Sequence, residues 1–309
     1  MPVSRGVIRL DAPTVGAFER ELEYKEATVI KRMLPEYSAA SGKLFQIEEL
    51  SIPWAERTSF TMIDGVGSFE LDNGQTTNLP YVDMVGEEYS QRAFRYRSGY
   101  YFDETEIEAT LHRGIPIEEQ KIALVQQAYV ETLNKLLLFG DKKTGNPGFV
   151  NHPAWLRSIA PYKLDGSVTN PNYILATLNA GVQGIKKATN TVIKPDTLLL
   201  PEDRFDYLMS QLRLNDFQEN SVLNYFLNNN PSIRNIEPIQ ELENAGPNGE
   251  HIAIFYKRDP MCFKARITDA FRPRPLMNVN PFQVYRAYAF KFSGIVVYVR
   301  YSCHVMIGV

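Results

Sequence analysis

Apolar residues at four-residue steps mark the segment from Ile117 to Phe139. Leu124/Val125, Ala128/Tyr129, Thr132/Leu133 and Leu136/Leu137 form a stripe, while Glu119, Gln126, Gln127, Asn134 and Lys135 take the opposite face. That period predicts an amphipathic helix, roughly 35 Å long at ~1.5 Å per residue. Pro116 stands near its first position and Gly140 just past its end, the usual punctuation of helix termini. Upstream, Asp103, Glu104 and Glu106 suit the start of a shorter helical stretch that Gly114 interrupts.

Period two governs residues 57–101. Thr58, Phe60 and Met62 alternate with Arg57, Ser59 and Thr61, and Phe94, Tyr96 and Tyr100 alternate with Arg95, Arg97 and Tyr101. Between these runs lies a long excursion through the turn pair Asn73-Gly74. The pattern predicts a hairpin with about 22 residues a side, which at ~3.3 Å per residue reaches roughly 70 Å. A hairpin of that reach must bury Phe69, Leu71, Leu79 and Tyr81 on something else, and a second subunit is the natural partner.

The remainder reads as a short helix near Thr14–Lys25, from Val15, Phe18 and Leu22, then an extended arm from Leu34 to Pro53. After residue 168 come a helix over Tyr173–Lys187, a buried strand at Thr197–Leu200, a helix opened by Pro201-Glu202-Asp203, and another over Ser221–Asn228. Strands follow at Arg234–Gln240, Ile252–Lys257, Phe263–Ile267, Phe282–Phe290 and Ile295–Tyr301. The order defines an α+β protein.

Composition narrows the function classes. Of 309 residues, 44% are hydrophobic and 22% charged, as in an ordinary folded protein. The net charge of −3 argues against nucleic-acid binding by bulk positive charge. No apolar run approaches the ~18 residues of a membrane span, and the first residues lack a signal-peptide core, so a soluble, intracellularly made protein is expected. Two cysteines, Cys262 and Cys303, cannot build a disulfide scaffold or a Cys-x-x-Cys zinc site.

Candidate chemistry is sparse. Cys303-His304 is the only pair resembling a nucleophile and base, but neighbours on a strand point to opposite faces. Gly140 and Gly145 have the spacing of a phosphate loop, yet Asn146-Pro147 replaces Lys and Ser/Thr, and the loop follows a helix. A helix cap and glycine turn is the better account. No zincin or nucleophile-elbow signature occurs, so the residues offer no catalytic, cofactor or metal site.

The collinear set of arm, hairpin, long helix and α+β module resembles the major capsid proteins of tailed bacteriophages, which share the Hong Kong 97-like fold. The resemblance is carried by Phe18-Glu19-Arg20-Glu21-Leu22-Glu23-Tyr24, by Phe139-Gly140-Asp141 through Gly148-Phe149-Val150-Asn151-His152-Pro153, by Pro195-Asp196-Thr197-Leu198-Leu199-Leu200-Pro201, by Leu223-Asn224-Tyr225-Phe226-Leu227-Asn228-Asn229-Asn230-Pro231 and by Gly294-Ile295-Val296-Val297-Tyr298.

It implies an N-terminal arm over residues 1–56 and an E-loop over 57–102 that reaches over a neighbouring subunit. A peripheral domain with a spine helix would cover 103–168, an axial domain 169–280, and C-terminal strands completing the sheet 281–309. Arg213, Leu214, Asn215, Asp216, Phe217, Gln218, Glu219 and Asn220 would form the loop at the capsomer axis. Arg95 and Arg97, on the hairpin's polar face, would pair with carboxylates across a subunit boundary, near Glu104–Glu108. Subunits would form hexamers and pentamers of an icosahedral virion shell, assembled in the host cytoplasm around double-stranded DNA, with portal, scaffolding and decoration proteins as partners and no membrane. Scaffolding would come from a separate protein, since only the arm precedes the hairpin. Some family members link a hairpin lysine to a neighbour's asparagine; no lysine lies between Lys43 and Lys121, so that link is not expected here. The alternative is an encapsulin-type compartment shell, which shares the fold and encloses enzymes.

Overall fold

A computed structural model describes residues 37–66, 83–103, 105–106, 117–168, 170–211, 221–280 and 283–309. The helix expected near Thr14–Lys25 lies outside them.

The long helix, α1, spans Ile117–Phe139 as its periodicity predicts. Val125, Leu133, Leu136, Leu137 and Leu138 are buried, whereas Leu124 is exposed. Asn134, expected on the polar face, is buried instead. Its side chain accepts hydrogen bonds from the backbone N–H groups of Ala39 (3.1 Å) and Ala40 (3.3 Å) and donates to Glu241 (2.7 Å). One amide thus joins residues 39–40 and the 3-10 turn Gln240–Leu242 to the helix. Gly140, at φ +71, turns the chain into a two-residue ribbon of β5 (Gly140–Asp141) and β6 (Asn146–Pro147). That is the helix stop and glycine turn read from the sequence.

The first sheet joins β1 (Ile47–Glu49), β11 (Phe263–Pro273), β13 (Gln283–Val297), β12 (Met277–Asn280) and β4 (Phe94–Asp103). β11 and β12 pair along one edge of β13, and β4 pairs along the other. α1 covers one face: Tyr129 stacks on Phe271 and meets Phe290 edge-on, and Tyr100, Val125 and Tyr288 form a buried cluster. Bulges interrupt the β11–β13 register near Arg266 and Asp269.

The second sheet runs β7 (Leu156–Ile159), β14 (Cys303–Ile307), β10 (Ile252–Tyr256), β8 (Thr197–Leu200) and β9 (Asn235–Pro238). Its three central strands are antiparallel, while β7 and β9 add in parallel at the edges. Every residue of β8 and β10 is buried. Helix α2 (Pro171–Ala188) lies on this sheet. Asn170 caps it by accepting from Asn172 N–H. Gly181 and Gly184 bring its backbone so close that a Cβ would collide with Phe255 and His304. Two short helices, α3 (Glu202–Asp206) and α4 (Val222–Asn229), follow; Ser221 caps α4.

Three strand expectations are revised. The return strand of the hairpin is β3 (Asp83–Arg92), which pairs with β2 (Arg57–Val66) from Arg57↔Arg92 to Val66↔Asp83. The run at Phe94–Asp103, expected as that return, pairs with β13 instead. The expected strands at Phe282–Phe290 and Ile295–Tyr301 are one continuous strand, β13, up to Val297, in which Gly294 (φ +106) makes a bulge rather than a break. The last strand is Cys303–Ile307, after a turn in which Tyr301 adopts φ +61.

Candidate assembly surfaces

The hairpin is fastened to the body at its root. Thr58 and Ser293 share a hydrogen bond between their hydroxyls at 2.7 Å, with Thr58 buried. Ala93 N–H donates to Glu56 O where β3 gives way to β4. Asn146 donates to the carbonyls of Arg92 (3.3 Å) and Ser293 (3.4 Å). Phe60 stacks on Tyr89 across the two strands and meets Tyr298 edge-on at 5.1 Å. Arg300 donates to the Tyr89 hydroxyl (3.2 Å), which in turn hydrogen-bonds Glu87. The Gln91 side chain lies where Gly294 has no Cβ, so this bulged glycine makes room for the root. A cleft of about 490 Å³ opens beside it, lined by Phe60, Met62, Tyr89, His152, Ile295 and Arg300 among others.

Beyond the root the described side chains of β3 are exposed. Asp83, Met84, Glu87 and Glu88 face solvent, Met84 at 73% exposure. Phe69, Leu71, Leu79 and Tyr81, the residues expected to seek a partner, lie outside the described residues, as does the expected axis loop from Arg213 to Asn220.

Arg95 and Arg97 stand on β4, beside Lys291 and Ala289 of β13, and not on the hairpin ladder. Both are exposed, and among the described residues neither makes an ion pair. Of the carboxylates proposed for them, Glu106 is held within the chain by Lys121, which also donates to Tyr101 O (2.8 Å) and sits over the Phe102 ring. Glu104 and Glu108 lie outside the described residues.

The one Cys-His pair is structural. Cys303 is fully buried, which raises its thiol pKa well above the usual value. Burial likewise pushes Cys262 up to about 11. His304 is buried between Ser158 Oγ (2.7 Å) and Gly181 O (3.0 Å), and burial lowers its pKa. Neither cysteine is a ready thiolate, and strand alternation keeps Cys303 and His304 on opposite faces. Among the described residues no three His, Cys, Asp or Glu side chains converge as a metal site. No described helix is long and apolar enough to cross a membrane.

Sequence reasoning missed the root clasp and the buried Asn134. Gly294 was the available signal for the first, since an isolated glycine in a strand marks a bulge or a close approach. Asn134, amid the leucines of the last helical turns, was the signal for the second.

Comparison with solved structures defines the class. The chain is similar to the capsid of Myoviridae phage XM1, with 15% identity, 99% of this chain and 100% of that chain covered, and a TM-score of 0.79. A chain of Microbacterium phage Oxtober96 matches at 12% identity, 96% and 99% coverage and a TM-score of 0.64. A virus-like particle from Pyrococcus furiosus matches at 11% identity, 85% and 90% coverage and a TM-score of 0.51. The fold is therefore the Hong Kong 97-like α+β fold that the sequence resemblance implied. The family model for the major capsid protein matches residues 69–306, and the chain belongs to that family, a component of the virion shell. That family favours a phage-type capsid over the encapsulin alternative. No curated protein matches the chain.

Proposed function

We propose that this capsid protein assembles as hexamers and pentamers into a closed icosahedral shell around double-stranded DNA, using its hairpin as the reaching element. The observation that carries the reading is the hairpin itself. Beyond Tyr89 the described side chains of β3 are exposed, and among the described residues the hairpin's hydrogen bonds and ring contacts with the body all fall at the root. A two-stranded ribbon is marginal alone and gains stability from a surface to lie on.

In this reading residues 1–56 are the arm and the E-loop is the β2–β3 hairpin, 57–92; the sheet under α1, with β4, β11, β12 and β13, forms the peripheral domain, and the sheet under α2 the axial domain, which β14 completes. Arg213–Asn220 lines the capsomer axis. Portal and scaffolding proteins, and decoration proteins where a shell carries them, are the partners. The protein acts by assembly in the host cytoplasm and carries no catalytic role. Deleting Gly65–Glu88 tests the reading: the variant is expected to stay folded by circular dichroism and to sediment as unassembled subunits. Shells of normal size and stability from that variant would sink it.

A further inference from the structure

The hairpin is acidic throughout. From Thr58 to Gln91 it carries Asp64, Glu70, Asp72, Asp83, Glu87 and Glu88, with no Lys or Arg. The first sheet presents the opposite charge on the face turned away from α1. Strand pairing places Arg95 beside Lys291 and Arg97 beside Ala289, and the β11 register adds Asp269 and Arg272 to the same face. Asp269 is the buried carboxylate there, and it is shared by Arg272 (3.0 Å) and Arg274 (2.8 Å). Lys291 is held by the carbonyls of Ala55 (2.6 Å) and Pro53 (3.4 Å), where the chain crosses the sheet. Arg95 and Arg97 have no such partner among the described residues. Further along the face, Tyr101 packs against Tyr285 at 4.7 Å, and Met277, opposite Tyr285, is 63% exposed. The outer edge of β4 is unpaired among the described residues.

We propose that this basic, aromatic face, centred on Arg95, Arg97 and Tyr101, is the seat for the acidic hairpin of a second copy of the chain. The inference rests on the hairpin reaching another subunit and adds where it lands. A chain's own hairpin is fastened at Ser293, Gly294 and Tyr298, and the seat begins next to that root, with Arg95 beside Lys291, and runs through Arg97 beside Ala289 to Tyr101 beside Tyr285, toward Gln283. Glu87 and Glu88 stand on opposite faces of β3, so either face of the ribbon brings a carboxylate to the seat. Met84 and Met277 add apolar area to a contact whose register is set by charge. Because hairpin and seat are different surfaces, the contact is head-to-tail and closes only as a ring.

A charge swap in the full chain tests this. Arg95→Glu/Arg97→Glu and Glu87→Arg/Glu88→Arg should each raise the subunit concentration needed for assembly by about tenfold or more, and the four changes together should restore it. Mixing the two double variants should restore six-membered rings, in which the two can alternate so that every hairpin meets a seat of opposite charge, while each five-membered ring keeps at least one mismatched contact. If Arg95→Glu/Arg97→Glu assembles normally while deletion of Gly65–Glu88 abolishes shells, the hairpin reaches a neighbour but lands elsewhere, and the seat is overturned. If the deletion leaves assembly intact, the hairpin reading itself fails. If the arginine variant forms normal empty shells that retain less DNA, the face binds nucleic acid and the proposal is also overturned.

Discussion

The five-stranded sheet under α2 and the hairpin of β2 and β3 are both β-structure, yet their stability has different sources. In the sheet, β8 and β10 are buried along their whole length, and Phe255 lies against the α2 backbone at Gly181. Such a layer is supported by its own side-chain burial. The hairpin has ten residues in each strand, and its described outer part shows solvent carboxylates and an exposed methionine. One region carries its own burial; the other, in the proposed reading, is completed by a contact with a neighbour. Strand content alone says little about where a subunit keeps its stability.

The sharpest way to break the contrast is a matched pair of truncations. Phe255→Ala should cost the unassembled subunit about 3–5 kcal/mol, measured by urea denaturation. Met84→Ala should change that value by less than about 0.5 kcal/mol and instead lower the melting temperature of assembled particles. Equal losses in the free subunit would show that the hairpin is packed on its own body after all.

A somewhat smaller effect follows from His152, which lines the cleft beside the hairpin root and packs its ring 5.1 Å from Trp155. Burial first, and Arg157 second, push its pKa down to about 4, against a hydrogen bond with the Ile295 backbone that works the other way. The unfolded chain protonates this side chain near pH 6.5, so between the two values the unfolded state binds more protons. The contribution is present above pH 6.5 and is lost as pH falls toward 4, on the order of 2–3 kcal/mol in all. His152→Gln should flatten the fall in melting temperature over that window. An unchanged slope would assign the acid sensitivity to other groups, such as His304 or the carboxylates.

Next in size is the amide that ties the arm to the core. Asn134→Ala removes the acceptor for Ala39 and Ala40 N–H and the donor for Glu241, at a cost of about 1–3 kcal/mol. Hydrogen exchange should rise first at Ala39 and Ala40. If exchange there stays slow, the arm's attachment depends on buried Leu44 and Phe45 rather than on the amide.

How much of this was legible follows from burial. The bounds of α1 and of β8 could be read directly, because Gly140 and Pro201 punctuate strongly patterned apolar runs. The true return strand could not, because Asp-Met-Val-Gly-Glu-Glu-Tyr-Ser-Gln-Arg is polar at positions of both faces and lacks the alternation a half-buried strand requires. The better patterned run at Phe94–Asp103 took its place in the reading. Period two reports that a strand has an inside and an outside but does not say which strand lies beside it. Arg95 and Arg97 were therefore found as exposed cations on a strand, while their setting beside Lys291 and the carbonyl-capped crossing at Pro53 and Ala55 came from the fold.

Denaturing detergent should reveal no covalent link between subunits. If the hairpin's partner contact is non-covalent, mature particles boiled in denaturing detergent with reductant should run as one band near 35.2 kDa. The lysine–asparagine link of some family members needs an amine that can lose its proton, and a guanidinium cannot supply one. No lysine lies between Lys43 and Lys121, so neither the hairpin nor the seat strand β4 carries the nucleophile. Lys291, the lysine of the seat, is buried with its amine hydrogen-bonded to two backbone carbonyls of its own chain, so it is not presented to a neighbouring subunit. The thiols of Cys262 and Cys303 are buried, so disulfide links are not expected either. A ladder of covalent oligomers would contradict the non-covalent account and direct attention to exposed lysines such as Lys187 and Lys194. A single band would leave charge and apolar burial as the forces that hold the hairpin to its neighbour. Particle melting should then fall as salt rises, because charges near the surface are screened over about 8–10 Å at physiological ionic strength.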